Sequence, residues 1–185
     1  MSETYDYAYY MNCCGKPYTR LNFGGFFAMI ADRIVERLHP KTALDAGCAM
    51  GFLVEQMVKR GVDCFGIDIS KYAISQVDPA MQLFCQVGSI TDPFPRRYDL
   101  IICIEVLEHL TAAEGVQAVA NLCRFTDTVL FSSTPYDKTQ PTHQNCQPST
   151  YWSDLFHANG FIFDAGIEAS FITPWAMLFR KGKVG

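Results

Sequence analysis

Hydrophobic residues in this chain recur in two rhythms. Between positions 23 and 38 they fall at Phe27, Ile30, Ile34 and Leu38, three and four apart, which is the period of one helix face. His39-Pro40 ends that helix, because a residue before proline is pushed out of helical geometry. Residues 41–46 then read as a short strand. Residues 52–60 return to the helical period, with Leu53 and Met57 one turn apart and Gly61 as the stop. A second strand covers 62–70 with Asp68 near its end. A helix from Ser70 to Val77, a third strand over 81–87 and a loop over 88–95 follow. Residues 98–104 form a nearly unbroken apolar run, the mark of a strand buried on both faces. A helix over 111–122 places Val116, Val119 and Leu122 on one face, and a fifth strand covers 126–132. Residues 133–148 are polar and hold three prolines, and so long a structureless stretch in a compact domain usually carries function. Ser149 is positioned to cap a helix reaching Ala158, closed by Asn159-Gly160. Residues 161–166 and 171–180 read as two last strands, an antiparallel pair.

Strands alternating with helices predict an α/β fold, a doubly wound sheet covered on both faces. About seven strands are expected, mostly parallel with an antiparallel C-terminal strand. The 185 residues suit one domain. Within it an N-terminal segment and helix, 1–40, lead into a core of 41–185. The segment 1–22 carries Tyr5, Tyr7, Tyr9, Tyr10 and Tyr18, punctuated by Gly15 and Pro17, and follows no single period. Disordered tails are poor in aromatics, so an aromatic lid is expected there in preference to a tail.

Composition narrows the class. At 49% hydrophobic residues the chain is globular, and no apolar run approaches the ~20 residues of a membrane span. The first residues lack a basic-then-apolar leader, so a cytoplasmic protein with no membrane partner is expected. The net charge is −4. Basic residues cluster only at Arg96-Arg97 and in Arg180-Lys181-Gly182-Lys183, which argues against a nucleic-acid partner. The eight cysteines mostly sit in apolar runs and form no C-x-x-C. They read as small buried hydrophobes of a reducing compartment, with neither a zinc site nor a redox motif. Cys13-Cys14 reads as a pair of exposed loop thiols, with a reactive pair as the alternative. No acid or histidine cluster has ligand spacing along the chain, so no metal is expected. A monomer or a homodimer is expected.

The chemistry gathers at Ala43-Leu44-Asp45-Ala46-Gly47-Cys48-Ala49-Met50-Gly51, where a strand ends in an acid and a glycine loop opens a helix. Glycines let a backbone approach a ligand closely, and a helix start presents free N–H groups. A dinucleotide fingerprint would need glycine at Phe52, and a P-loop would need Gly-Lys-Ser/Thr; neither occurs. An ordinary strand-to-helix turn is the plain alternative. Asp68, 21 residues beyond Gly47, ends the next strand, where an acid accepts bonds from two ribose hydroxyls. Capping of the following helix is its other reading.

Four stretches in order carry a resemblance: Leu44 to Gly51, Gly66-Ile67-Asp68, Gly88-Ser89-Ile90, and the run from Tyr98 through Glu105-Val106-Leu107-Glu108-His109-Leu110. Together they resemble the successive motifs of class I S-adenosylmethionine (SAM)-dependent methyltransferases, the last being similar to small-molecule members. The resemblance spans about residues 41–180 and implies a single-domain Rossmann-like fold with SAM as cofactor and S-adenosylhomocysteine (SAH) as product. It departs at Ala49, where the family has glycine; alanine serves there if its φ is negative. By this resemblance Asp45 lies near the methionine amino group, and the backbone of Gly47, Cys48, Ala49 and Gly51 lines the methionine and ribose. Asp68 takes the ribose hydroxyls and Ile69 packs on adenine. Ser89 replaces the usual acid at the adenine amino group, and the Ile90 N–H serves adenine N1. Ile104 and Glu105 meet the sulfonium and the substrate, and Tyr10 and Tyr18 of the lid close on the cofactor. The implied reaction is methylation of a small molecule, most simply a hydroxyl of a sugar, phenol or secondary metabolite. A hydroxyl acceptor gains from a base with pKa near 7, which points to histidine. His143, in the 133–148 loop, is the preferred base; His109, after the fourth strand, is the second candidate or a helix-start residue. Tyr136 and Asn145 are expected to shape the acceptor pocket. Two rivals stay open: a SAM-binding sensor or partner subunit without catalysis, and a nicotinamide-dependent oxidoreductase.

Overall fold

The computed structural model describes residues 4–182; Lys183 of the basic tail and residues 1–3 of the expected lid lie outside them. The chain forms two compact units that divide between Ser89 and Ile90. Among the described residues no helix is long and apolar enough to cross a membrane.

The first unit contains α1 (Tyr7–Asn12), α2 (Arg20–Leu38), β1 (Thr42–Ala46), α3 (Phe52–Lys59), β2 (Asp63–Asp68), α4 (Lys71–Ser75) and β3 (Cys85–Val87). Its strands run parallel in the order β3-β2-β1. Helix α2 starts earlier than its apolar period predicts, because the Thr19 hydroxyl caps it by accepting the Asn22 N–H. It ends at His39 in left-handed geometry, φ 48°, just before Pro40. Ile30 and Ile34 form its fully buried stripe, and Glu55 of α3 pairs with both Arg20 and Lys59. The expected third strand is a correction. Residues Pro79–Phe84 form a 3₁₀ helix and only Cys85–Val87 are extended. The Asp78 carboxylate accepts the Ala80 N–H and Pro79 starts the turn, and this local chemistry outweighs the apolar character of Met81, Leu83 and Phe84. Leu83 consequently lies 92% exposed.

The second unit contains β4 (Leu100–Ile104), α5 (Ala112–Phe125), β5 (Thr128–Ser132), α6 (Ser149–Ala158), β6 (Phe161–Phe163) and β7 (Met177–Lys181). Its strand order is β4-β5-β7-β6, with β4 and β5 parallel and the last two strands antiparallel to their neighbours. Leu100 to Cys103 are almost completely buried, as their unbroken apolar run requires. Thr111 and Glu114 close a reciprocal capping box on α5. Pro148, not Ser149, occupies the cap of α6, and it makes no side-chain bond there. Phe131 of β5 is the hub of the core: Trp152 and Phe156 of α6 and Phe179 of β7 surround it, all buried. The final strands are shorter than their apolar runs. Asp164 turns the chain by accepting the Gly166 N–H, and Ala169 and Ile172 bury themselves from turns.

Candidate active site

In the first unit the glycine loop is clamped to β2. The N–H groups of Gly47 and Cys48 both donate to the Ile67 carbonyl, at 2.8 and 2.9 Å. Gly47 has φ 96° and Gly51 φ 71°, geometry that suits residues without a Cβ. Gly66 of β2 is required by the same approach, since a Cβ there would lie 2.7 Å from Cys48 and 2.8 Å from Val54. Ala49 corrects an expectation: its φ is +48°, so alanine occupies a left-handed position. Its N–H is committed to the Asp68 carboxylate at 2.8 Å, and the Ser70 N–H takes the other oxygen at 2.8 Å. Asp68 therefore splints the loop and the entry to α4, while Ser70 caps that helix. Each Asp68 oxygen keeps a lone pair for a further donor. Burial raises the Asp68 pKa, and the two N–H bonds oppose that. Asp45, at the end of β1, is pushed up to about 7 by burial and then by the charge of Asp68. Ile69 is an exposed apolar side chain and Ser89 is half-buried just beyond β3.

The tyrosine segment folds onto this same loop. Asp6 caps α1. Tyr10 is buried, its ring near those of Tyr18 and Tyr72, and its hydroxyl shares a hydrogen bond with Ser70. Ser70 also donates to the Tyr5 carbonyl at 2.6 Å. Tyr18 stacks on Phe52, the first residue of α3, with ring centroids 5.3 Å apart. Burial raises the pKa of both Tyr10 and Tyr18.

The second unit gathers acids and histidines after β4. Ile90 is buried and its carbonyl accepts the Asn121 amide at 2.9 Å. Ile104 ends β4 opposite Ser132. Glu105 follows at φ 53°, and its carboxylate accepts the Trp175 indole N–H at 2.9 Å. A 3₁₀ turn, Leu107–His109, then carries Glu108, which is 1% exposed. Ser133 donates to the Glu108 carboxylate at 2.9 Å. The Glu108 carbonyl accepts the N–H groups of both Gln144 and Asn145, at 2.8 and 2.9 Å. Those two bonds fasten the 133–148 loop to the turn and bring His143 beside His109, ring centroids 4.6 Å apart. Glu108, His109 and His143 each present a ligand-type atom, and all three lie within 4.8 Å of one another. No acid or histidine cluster has ligand spacing along the chain, and this grouping forms only in the fold. Spacing along the chain did not show the cluster because the loop closes it. His143 Nδ1 lies 2.5 Å from the Asp137 carbonyl. Burial, then the neighbouring His143, holds His109 down to about 4. Burial, then Glu105, pushes Glu108 up to about 8.

Two acceptor-side expectations divide. Tyr136 is 80% exposed against Trp175. Asn145 is buried, and its amide nitrogen is the atom that a Cβ on Gly115 would meet at 2.9 Å. It packs against Gly115 of α5. Glu108 and Trp175 were not singled out as site residues from the sequence; a buried acid inside an acid-rich turn was the only signal for the first, and none marked the second.

Residues 26–165 match a family model described as a methyltransferase domain. A ubiquinone biosynthesis O-methyltransferase from Nitrosomonas europaea is 34% identical over 114 residues, which is 55% of this chain and 47% of that protein. The chain spans about half the length of the relatives it matches in this way. A SAM-dependent methyltransferase from Clostridium acetobutylicum matches the fold with a TM-score of 0.70 at 12% identity, covering 95% of this chain and 96% of the other. A magnesium protoporphyrin IX methyltransferase from Synechocystis PCC 6803, crystallised with SAH bound, matches with a TM-score of 0.68 at 18% identity, covering 88% and 85%. At such identities the structural likeness establishes the fold, a seven-strand, mostly parallel Rossmann-like sheet with an antiparallel C-terminal pair. With three quarters of its length inside the family model, the chain belongs to the methyltransferase-domain family, as a class I, SAM-dependent member.

Proposed function

We propose that the chain transfers a methyl group from SAM to a hydroxyl of a small-molecule acceptor. The observation that carries the hydroxyl is His143. Its Nδ1 donates to the Asp137 carbonyl, so the neutral ring presents Nε2 as the proton acceptor. An oxygen acceptor must lose a proton during transfer, and the loop that carries His143 is fixed by two backbone bonds to Glu108. The relatives named as O-methyltransferases support the same choice.

The first unit supplies groups that fit the cofactor. SAM brings a methyl already activated on a sulfonium, so the protein's part is binding and positioning. Asp68 has a lone pair on each oxygen for the two ribose hydroxyls. Asp45, buried beside that acid, gains from a cation such as an amino-acid ammonium. Gly47 and Gly51 keep the loop backbone open to close approach, Ile69 offers an apolar face to adenine, and Ser89 offers a hydroxyl to its amino group. Tyr10 and Tyr18 close the same loop from the N-terminal side.

The test is SAH formation across a panel of hydroxyl and amine acceptors. A hydroxyl compound should be the substrate. Asp68→Ala should weaken SAH binding by roughly 2–3 kcal/mol, the range for hydrogen bonds to a charged group. His143→Ala should leave SAH affinity unchanged and lower kcat by ~10²–10⁴. Methylation confined to amines, or an undiminished rate in the histidine variant, would reject the hydroxyl reading.

A further inference from the structure

We infer that Glu108, His109 and His143 form a site for one divalent transition-metal cation, and that this cation takes the acceptor hydroxyl as a further ligand. The second half of the inference rests on the hydroxyl-methylation reading above; the first half does not. The geometry has four parts. Three ligand atoms, one carboxylate oxygen and two imidazole nitrogens, lie within 4.8 Å of one another, close enough for a single ion to reach all three with small side-chain adjustments. The two segments that supply them are joined before any ion arrives, through the Gln144 and Asn145 N–H bonds to the Glu108 carbonyl. The groups behind the ligands are those that orient metal ligands. His143 turns its Nδ1–H to a carbonyl and frees Nε2, and Ser133 holds the Glu108 carboxylate from behind. Finally, a second carboxyl group, that of Glu105, lies near Glu108. Among the described residues no lysine or arginine pairs with either carboxylate.

The donor set selects the ion. Two imidazoles and one carboxylate suit Zn²⁺, Co²⁺, Mn²⁺ or Fe²⁺, whereas Mg²⁺ and Ca²⁺ favour all-oxygen sites. Three protein ligands leave coordination positions open, the pattern of reactive rather than structural sites. A hydroxyl bound there becomes more acidic. In the transfer its O–H bond breaks and the proton passes to water, because His143 Nε2, the proton acceptor of the cation-free site, is then occupied as a ligand. The oxygen's electron pair forms the bond to the methyl carbon. The carbon–sulfur bond breaks with its pair left on sulfur, turning the sulfonium into a neutral thioether.

Cobalt is the probe. Protein stripped with chelator should bind one Co²⁺ with visible ligand-field absorption, and Zn²⁺ should displace it while Mg²⁺ at the same concentration should not. Glu108→Gln and His143→Ala should each weaken Co²⁺ binding by at least tenfold, with SAH affinity unchanged. A Cys13→Ser/Cys14→Ser variant should keep the spectrum, because those thiols lie together elsewhere in the chain, 3.2 Å apart. Catechol, as a model hydroxyl ligand, should shift the cobalt bands. Absence of saturable binding, or binding lost in the cysteine variant and kept in both site variants, would overturn the cation site. Unshifted bands with catechol would overturn its role in holding the acceptor. Failure of the methyltransferase reading registers separately, as absence of SAH formation by protein that binds cobalt normally. If Co²⁺ does not bind and methylation of a hydroxyl proceeds at full rate in chelator, His143 acts as an unassisted base.

Discussion

Asp45 shows how one residue couples folding, pH and cofactor. It ends a buried strand where, among the described residues, no lysine or arginine pairs with it, and it sits beside another acid, so burial and then Asp68 push its pKa up to about 7. The unfolded chain returns it to the ordinary carboxylate range near 4. Between those values the native state holds the extra proton, so this group's stabilising contribution is complete below about pH 4 and is lost as pH rises through about 7. Glu108, raised to about 8, acts in the same direction. Thermal melting should therefore show Tm falling from pH 5 to pH 8, with a shallower fall in Asp45→Asn. Binding an ammonium beside Asp45 favours its charged form, so SAH binding near pH 6.5 should release protons. Calorimetry in two buffers of different ionisation heat reads this directly, and identical heats in wild type and Asp45→Asn would refute it. Ala49 is the other telling residue. A left-handed alanine is strained by roughly 1–2 kcal/mol, partly offset by the lower entropy that alanine has in the unfolded chain. Ala49→Gly should gain about 0.5–1 kcal/mol, a rise of ~1–4 °C in Tm; a lower Tm would show that the strain lies elsewhere. The sequence named Ala49 as the odd residue of the loop, yet the sign of its φ depends on Asp68 pulling its N–H across.

At the scale of elements, what was legible depended on how local the cause was. The apolar run from Leu100 to Ile104 became a buried strand because every side chain there prefers the interior. The helix periods of α2, α3 and α5 held for the same reason, with ends set by Thr19, Gly51 and Thr111. The third strand failed because an Asp-Pro start dictates a 3₁₀ turn regardless of the apolar residues that follow. The histidine cluster was illegible for a different reason. Backbone N–H groups of Gln144 and Asn145 close it, and backbone groups carry no signature in a sequence. The N-terminal segment lies between these cases: its aromatic content pointed to a lid, and the short helix α1 does pack on the Ser70 end of β2. Two elements of that segment should separate by experiment. Tyr18 is half-buried and stacks on Phe52, so Tyr18→Ala should cost ~1–3 kcal/mol of stability. Removing residues 1–12 spares that stack. It should leave the fold intact and weaken SAH binding at least tenfold, and SAH should slow protease cleavage between residues 12 and 18 in the full chain. Unchanged affinity in the truncated protein would make α1 a packing element with no part in binding.

Over the whole molecule the two units carry different chemistry. Residues up to Ser89 hold the glycine loop, Asp45, Asp68 and the tyrosines; those from Ile90 onward hold Glu105, Glu108 and the histidine pair. That division makes the assignments separable by one measurement. Amide hydrogen exchange reports local opening along the entire backbone, and a ligand that binds only the native form suppresses opening most where it touches. SAH should protect residues 47–51 and 68–73 most strongly in the first unit, and Asp68→Ala should need a correspondingly higher SAH concentration for the same effect. Co²⁺ should protect residues 107–109 and 142–146, which the Gln144 and Asn145 N–H groups fasten together at the Glu108 carbonyl, and Glu108→Gln should abolish that protection while keeping the response to SAH. The pattern matters more than its size, because any stabilising ligand slows global unfolding everywhere to the same degree. Protection by SAH that is uniform along the chain, or that leaves residues 47–51 unchanged, would remove the glycine loop and Asp68 from the cofactor site even if binding and methyl transfer were intact.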